Sequence, residues 1–295
     1  RRYRAASIVT RWRLATRRRE IGESKQGVGM NRSENFTALC LGLSAVLLLC
    51  IQGSALADLT TGDEIRECAR GNFPERTSIQ FIELKSRDRA GREKLMDARL
   101  HWRRDDSGQV RLMIRIDGPQ DIKGSAYLVI ENKPRDTVYM YLPSLVRPRR
   151  VVGGGGSSIW GTDFSHEDLR LLQMRSDALG SVRLADAEVA DREVYVVEQA
   201  AEPDSESAYG RIVSYFDKQT CVALQTEYFD AADRLHKRLS VDPATVAQVN
   251  GRWTAYDLEM NDVGEETSSW IHVKHISLDE DISRRFFNTV QFYKD

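Results

Sequence analysis

The sequence predicts a mainly β domain: one antiparallel sheet with a solvated outer face, and a helix or two covering the other face. Three observations lead there. Apolar and polar residues alternate with period two in one short stretch after another beyond residue 58. Turn residues such as Ser107-Gly108 and Arg89-Ala90-Gly91 punctuate those stretches at hairpin spacing. Two segments, opening at Thr61-x-x-Glu64 and Ser165-x-x-Asp168, carry the Ser/Thr…Asp/Glu signal of a helix N-terminus.

Residues 1–57 read as something other than fold. Residues 1–29 are arginine-rich without a sustained apolar period, and are expected to be over-extended translation, disordered, ahead of a true start at Met30. From Met30 the pattern is that of a secretory leader: Asn31-Arg32, an apolar run from Phe36 to Ile51, and Ala55-Leu56-Ala57 as a small-residue cleavage site. Leu49 before Cys50 argues against lipid attachment. The expectation is a signal peptide over 30–57, cleaved after Ala57, and one exported domain over 58–295.

In that domain the first helix is expected at about 62 to 70, ending near Gly71 and Pro74. Met96, Ala98, Leu100 and Trp102 then alternate with Asp97, Arg99, His101 and Arg103. Val110, Leu112, Ile114 and Ile116 repeat the device, and Ala126–Ile130 and Val138–Leu142 continue it around the turn at Asn132-Lys133-Pro134. Further strands are predicted near 193–199, 210–217, 220–229, 235–241, 252–260 and 268–278. The second helix follows Ser165 and carries Leu169, Leu172 and Met174.

Charge and cysteine usage narrow the function. Residues 1–57 hold ten Lys/Arg and three Asp/Glu, which leaves 33 basic against 41 acidic residues in the rest. A body that acidic lacks the basic face nucleic acid requires, so no nucleic-acid partner is expected. Cys40 and Cys50 leave with the leader. Cys68 and Cys221 remain, either paired in an oxidising compartment or buried as free thiols, and neither has metal or redox spacing.

The glycine-rich run Val151 to Gly161 is not a phosphate loop, because it lacks the lysine of G-x-x-x-x-G-K-[ST]. It reads instead as a mobile flap, with Gly153–Gly156 as a hinge and Trp160 and Phe164 as aromatic anchors. Catalytic and metal constellations are lacking: His272 and His275, three apart on a strand, are expected on opposite faces, and His166-Glu167-Asp168 opens a helix. No cofactor, metal or enzymatic activity is expected.

Three stretches together resemble a known family: Tyr141-Leu142-Pro143-Ser144-Leu145, the basic cluster Arg147 to Arg150, and Gly161-Thr162-Asp163-Phe164-Ser165-His166-Glu167-Asp168-Leu169. The residues from Leu112 to Leu128, with Pro119 and Lys123-Gly124-Ser125-Ala126, fit it as well, as does Phe286-Phe287-Asn288-Thr289. The resemblance is to the outer-membrane lipoprotein-sorting-protein family of the LolA-like superfamily of periplasmic carriers. It implies an open, incomplete antiparallel β-barrel with helices against the concave face. It also implies a periplasmic monomer that carries a lipid, a lipoprotein acyl chain or another hydrophobic ligand between an inner-membrane export system and an outer-membrane acceptor. The alternative is an envelope sensor or adaptor that uses the same half-barrel to recognise a protein.

Acyl chains need apolar area more than hydrogen bonds. The candidate ligand-binding residues are therefore Leu100, Trp102, Leu112, Ile114, Leu128, Ile130, Val138, Met140 and Leu142, with Trp160 and Phe164 at the entrance. Arg147, Arg149 and Arg150 are candidates for contact with a headgroup or an acidic partner. A lid helix and a lipid would compete for the apolar surface, closed without cargo and open with it.

Overall fold

The structure is a computed structural model that describes residues 58–132, 136–151, 158–173, 180–201 and 207–294. The over-extension, the leader and its cleavage site, the turn residues Lys133 and Pro134, the hinge Gly153–Gly156 and Met174 lie outside the described residues.

Helix α1 spans Gly62–Arg70 and helix α2 spans His166–Leu172. Before α2 come β1 (Thr77–Arg87), β2 (Glu93–Arg104), β3 (Val110–Gly118), β4 (Ala126–Ile130), β5 (Thr137–Tyr141) and β6 (Arg149–Val151). After it come β7 (Val182–Arg183), β8 (Ala187–Val189), β9 (Arg192–Ala200), β10 (Arg211–Asp217) and β11 (Ala223–Phe229). The chain then forms β12 (Leu235–Val241), β13 (Ala247–Val249), β14 (Arg252–Thr254), β15 (Asp257–Asp262) and β16 (Thr267–Leu278).

Both helices start as their capping signals require. The Thr61 hydroxyl accepts from the Glu64 amide at 3.2 Å, and the Glu64 carboxylate accepts from the Thr61 amide at 3.0 Å. Ser165 and Asp168 repeat the exchange at 3.2 and 2.7 Å.

Among the described residues fourteen strands join one antiparallel sheet in the order β6-β5-β4-β3-β2-β1-β16-β15-β12-β11-β10-β9-β7, with β8 also on β9. The sheet is not closed: β6 and β7 are its two ends, and β1 in its middle pairs with the last strand, β16. Two meanders are thus stitched together by their first and last strands. The result is an open half-barrel with both helices on one side, the inner face.

Register identifies the faces, because directly opposed residues share one. Ser78, Trp102, Leu112, Val129 and Val138 are successive partners across β1 to β5. Ile114, Tyr127 and Met140 form the next inner row. Leu128 is therefore not inner: it opposes Met113 and Tyr139, and Ile130 opposes Arg111 and Thr137. Both belong to the outer face, where the C-terminal segment covers them: Met113, Leu128, Phe287 and Phe292 are buried together, with Ile130, Tyr139 and Tyr141 against them.

A β-bulge corrects the histidine expectation as well. Phe81 opposes His275 but Ile82 opposes Val273, so Lys274 is an extra residue on β16. Val273 and Ile276 are buried while His272 and His275 are both exposed on one side. They share no ligand, since His272 bonds Asp257 at 2.6 Å and His275 bonds Ser277 at 3.1 Å.

Of the two states left open for the cysteines, the structure has the pair. Cys68 and Cys221 form a disulfide with their Cα atoms 5.8 Å apart. It clips α1 to the turn before β11, where Ile65 and Ala69 pack on Tyr195, Val197 and Phe216.

Candidate functional site

Between the inner face and the two helices lies a cavity of about 280 Å³. Its sheet wall includes Ile82 of β1, Leu100 and Trp102 of β2, Leu112 of β3, Leu239 and Val241 of β12, and Val273 and Ile276 of β16. Helix α2 contributes Leu169, Leu171 and Leu172, helix α1 contributes Arg66 and Ala69, and Trp253 and Ala255 close another side. This is a largely apolar chamber close to the lower end of small-ligand pockets, which run from about 300 Å³ upward.

The nine expected ligand-binding residues of the strands divide into four groups. Leu100, Trp102 and Leu112 reach the cavity wall. Ile114, Val138 and Met140 belong to the same inner apolar cluster beside it, and do not line it. Leu128 and Ile130 face the other side of the sheet. Leu142 is half-buried at the end of β5, immediately before the 3₁₀ turn Pro143–Leu145. Arg147, Arg149 and Arg150 are exposed and do not line the cavity; Arg149 and Arg150 sit on edge strand β6, opposite Met140 and Tyr139.

Trp160 and Phe164 are not an entrance. Phe164 is 2% exposed and packs with Tyr209, Tyr228, Leu239 and Met260. Trp160 is half-buried against the inner cluster, edge-on to Tyr127 at 5.3 Å. The described segment carrying them is a compact loop rather than a flap. Ser158 bridges Ser165, the Ile159 amide donates to the Phe164 carbonyl at 2.9 Å, and Trp160 and Gly161 reverse the chain at φ 50° and 75°.

What the Gly161–Leu169 motif does is pin α2 to the sheet. Asp168, fully buried, accepts from the Tyr209 hydroxyl at 2.6 Å, from the Ser165 amide and hydroxyl at 2.7 and 2.8 Å, and from Lys237 Nζ at 3.1 Å. Lys237 also donates to the Asp163 carbonyl at 2.7 Å, while the Asp163 carboxylate accepts from Ser269 at 2.6 Å and from the Thr267 hydroxyl. Glu167 accepts from the Ala208 amide at 2.9 Å and from the Ser207 hydroxyl. Burial, then the Asp168 charge, pushes the Tyr209 and Tyr228 hydroxyls well above their ordinary pKa, so both stay neutral. At the other end of α2, Trp102 Nε1 donates to the Gln173 side chain at 3.1 Å.

Of the polar cavity residues that the sequence reading did not single out, Arg66 and Gln199 have a buried side-chain nitrogen without a hydrogen-bond partner among the described residues. Arg66 lies on the buried stripe of α1, four residues after Gly62 and three before Ala69. That spacing was the available signal for it. Gln199 of β9 had none, since the rest of the chamber around it comes from remote segments. No group of three or more His, Cys, Asp or Glu among the described residues is placed to hold a metal.

An open half-barrel with a buried apolar chamber under two helices defines the structural class. Three solved structures resemble the chain in fold. A DUF1329 family protein from Desulfovibrio piger is 22% identical, with a TM-score of 0.72 over 77% of this chain and 95% of that one. A domain from Vibrio parahaemolyticus described as an outer membrane lipoprotein-sorting protein is 21% identical, with a TM-score of 0.66 over 77% and 97%. A LolA superfamily protein from Nitrosomonas europaea is 16% identical, with a TM-score of 0.63 over 78% and 98%. The model of an uncharacterized protein family matches residues 108–293, more than half of the chain, and the chain belongs to that family, DUF1329. No curated protein matches it in sequence at a significant level.

Proposed function

We propose that the protein is a periplasmic carrier that holds a lipid, a lipoprotein acyl chain or another hydrophobic ligand between the half-barrel and its helices. In this reading a signal peptide ending at Ala57 exports it, and it passes cargo from an inner-membrane export system to an outer-membrane acceptor. The observation that carries the reading is the apolar chamber walled by Leu100, Trp102, Leu112, Leu169, Leu172 and Val273. Each methylene moved from water into such a chamber contributes about 0.8 kcal/mol, so a chain needs few polar contacts to be held. The described lining holds no carboxylate, histidine or free thiol to act as acid, base or nucleophile, which supports carriage over catalysis. The likeness of fold to the lipoprotein-sorting and LolA proteins supports the same choice.

The test is extraction of the protein purified from periplasm with organic solvent, followed by mass spectrometry, beside a neutral apolar dye titrated into delipidated protein. Co-purified lipid, or saturable dye uptake abolished by Leu100→Trp, which fills the chamber, is the expected result. Protein that emerges without lipid, takes up no dye and instead binds one protein partner would replace the carrier with the adaptor.

A further inference from the structure

Resting on the carrier reading, the cavity's polar end specifies the chemistry of the ligand. Arg66 is 6% exposed and lines the chamber, and its Nε has no hydrogen-bond partner among the described residues. Gln199 is 9% exposed, lines the same chamber, and its Nε2 is likewise without a partner. A guanidinium offers only donors, and an amide nitrogen only donates. The described lining contains no Asp or Glu, and Arg66 is its one side chain with a formal charge.

Nearby acids are turned away. Asp63 is exposed and accepts from the Ser181 hydroxyl, Glu67 pairs with Arg70 at 2.6 Å, and Glu64 caps the helix. Burial lowers the Arg66 pKa from its ordinary value, the Arg70 charge lowers it further, and Asp63 opposes both. A buried charge without a counter-charge is unfavourable, and the free energy is regained when a partner arrives.

The two donors belong to one end of the chamber. Helix α1 packs on Tyr195 and Val197 of β9, and Gln199 follows Val197 by two residues on the same face. Leu100, Trp102 and Leu112 lie on β2 and β3, which are separated from β9 in the sheet by β1, β16, β15, β12, β11 and β10. The chamber therefore has a cationic, donor-bearing end, and an arm along β2 and β3 that is apolar on Leu100, Trp102 and Leu112, with the neutral Ser78, Gln80 and Gln173 beside them.

We propose that Arg66 and Gln199 anchor the anionic group, a carboxylate or a phosphate, of a single-headed amphiphile whose chain lies along Leu100, Trp102 and Leu112. A guanidinium meets either group through two parallel N–H···O bonds, and the chain fills the apolar arm.

The test is calorimetry on the delipidated exported chain with hexadecanoate, hexadecyl phosphate and neutral hexadecanol, and with acetate and inorganic phosphate alone. Both anionic amphiphiles should bind at least about tenfold tighter than the alcohol, as a charged hydrogen bond implies, and their ranking separates carboxylate from phosphate. Arg66→Gln should abolish that preference, and Gln199→Leu should reduce it. An Arg66→Gln variant that keeps the preference overturns the anchor, as does wild-type protein that binds alcohol and acid alike. Acetate or phosphate binding as tightly as the amphiphiles would make this a small-anion site and overturn it too. If the neutral alcohol binds without discrimination, the carrier reading stands and only the anchor falls. If no amphiphile binds at all, both fall. The comparison of ligands on the wild-type protein decides the matter even if the Arg66 variant does not fold.

Discussion

Replacing Asp168 by alanine tests whether the Gly161–Leu169 motif is a lock. The carboxylate is fully buried and collects four hydrogen bonds, from Tyr209, from the amide and hydroxyl of Ser165, and from Lys237. Its removal leaves the 7%-exposed Lys237 ammonium with one carbonyl partner, that of Asp163. Breaking a buried pair from one side costs about 3–5 kcal/mol, and an orphaned Tyr209 hydroxyl adds about 1–3 kcal/mol. For a domain of this size about 2–4 °C of melting temperature is lost per kcal/mol, so Asp168→Ala should melt at least about 10 °C below wild type. Lys237→Met should cost less, because Asp168 then keeps three donors. The assay is thermal unfolding of the purified protein by circular dichroism, with urea titration for the free energy. A change within about 2 °C for Asp168→Ala would refute the lock. The reverse order, with Lys237→Met the more damaging, would refute the assignment of Asp168 as its hub.

Three further outcomes follow from the structure. Ile114→Asp places a charge in the inner cluster at a residue 4% exposed, and should cost several kcal/mol or abolish dye uptake; unchanged stability together with unchanged uptake would contradict the register. Reducing Cys68–Cys221, which closes a separation of 153 residues, should lower stability by about 2–5 kcal/mol, read as a shift in the urea midpoint, and an unmoved midpoint would mean that the clip is dispensable. His101 is 5% exposed and stacked on Phe286, and burial together with the charge of Arg99 lowers its pKa to about 4. Between about pH 6.5 and pH 4 the unfolded chain binds a proton there that the folded chain does not, so stability falls with acidification by about 3 kcal/mol. His101→Phe should flatten that part of the pH profile; superimposable profiles would exclude His101 as the cause.

Most of the architecture was legible because most strands cover the core with one face. β2, β3, β11 and β12 alternate, and their expected limits agree with the observed ones to within a few residues. The failures occur where both faces are covered. Ala126–Ile130 is apolar at every position, since Tyr127 and Val129 face the inner cluster while Leu128 and Ile130 lie under Phe287 and its neighbours. A strand covered on both sides carries no phase in its sequence, so the inward side of β4 was misassigned while β5, with Thr137, Tyr139 and Tyr141 on its outer side, came out right. β1 went unmarked for a related reason. At its start Ser78 and Gln80 face the cavity and Ile79 faces the C-terminal segment, whereas further on Ile82 and Leu84 face inward. The apolar side changes partway along the strand, and period two is masked. The lock was illegible in another way: its motif is local, but its partners Tyr209, Lys237, Thr267 and Ser269 come from β12, β16 and the approach to β10.

The same geometry changes how a lid can work in the carrier reading. The sequence placed the moving part at Trp160 and Phe164, ahead of α2, but that end of the helix is held by the Asp168 and Asp163 networks and by Phe164 in its own cluster. Lifting it would strand a buried carboxylate and a buried ammonium together, at a cost of several kcal/mol. The C-terminal end of α2 meets the chamber through Leu169, Leu172 and Gln173, and Trp102 on the inner face donates a hydrogen bond to Gln173. A single neutral hydrogen bond of that kind contributes only about 0.5–1.5 kcal/mol. An entering chain that buries two methylenes offsets it. Helix α1 is the worse candidate for movement, since the disulfide to Cys221 and the packing of Ile65 and Ala69 fix it over β9. In the carrier reading, the N-terminal end of α2 held by those networks and the whole of α1 therefore stay fixed as cargo enters, and Arg66 stays with them.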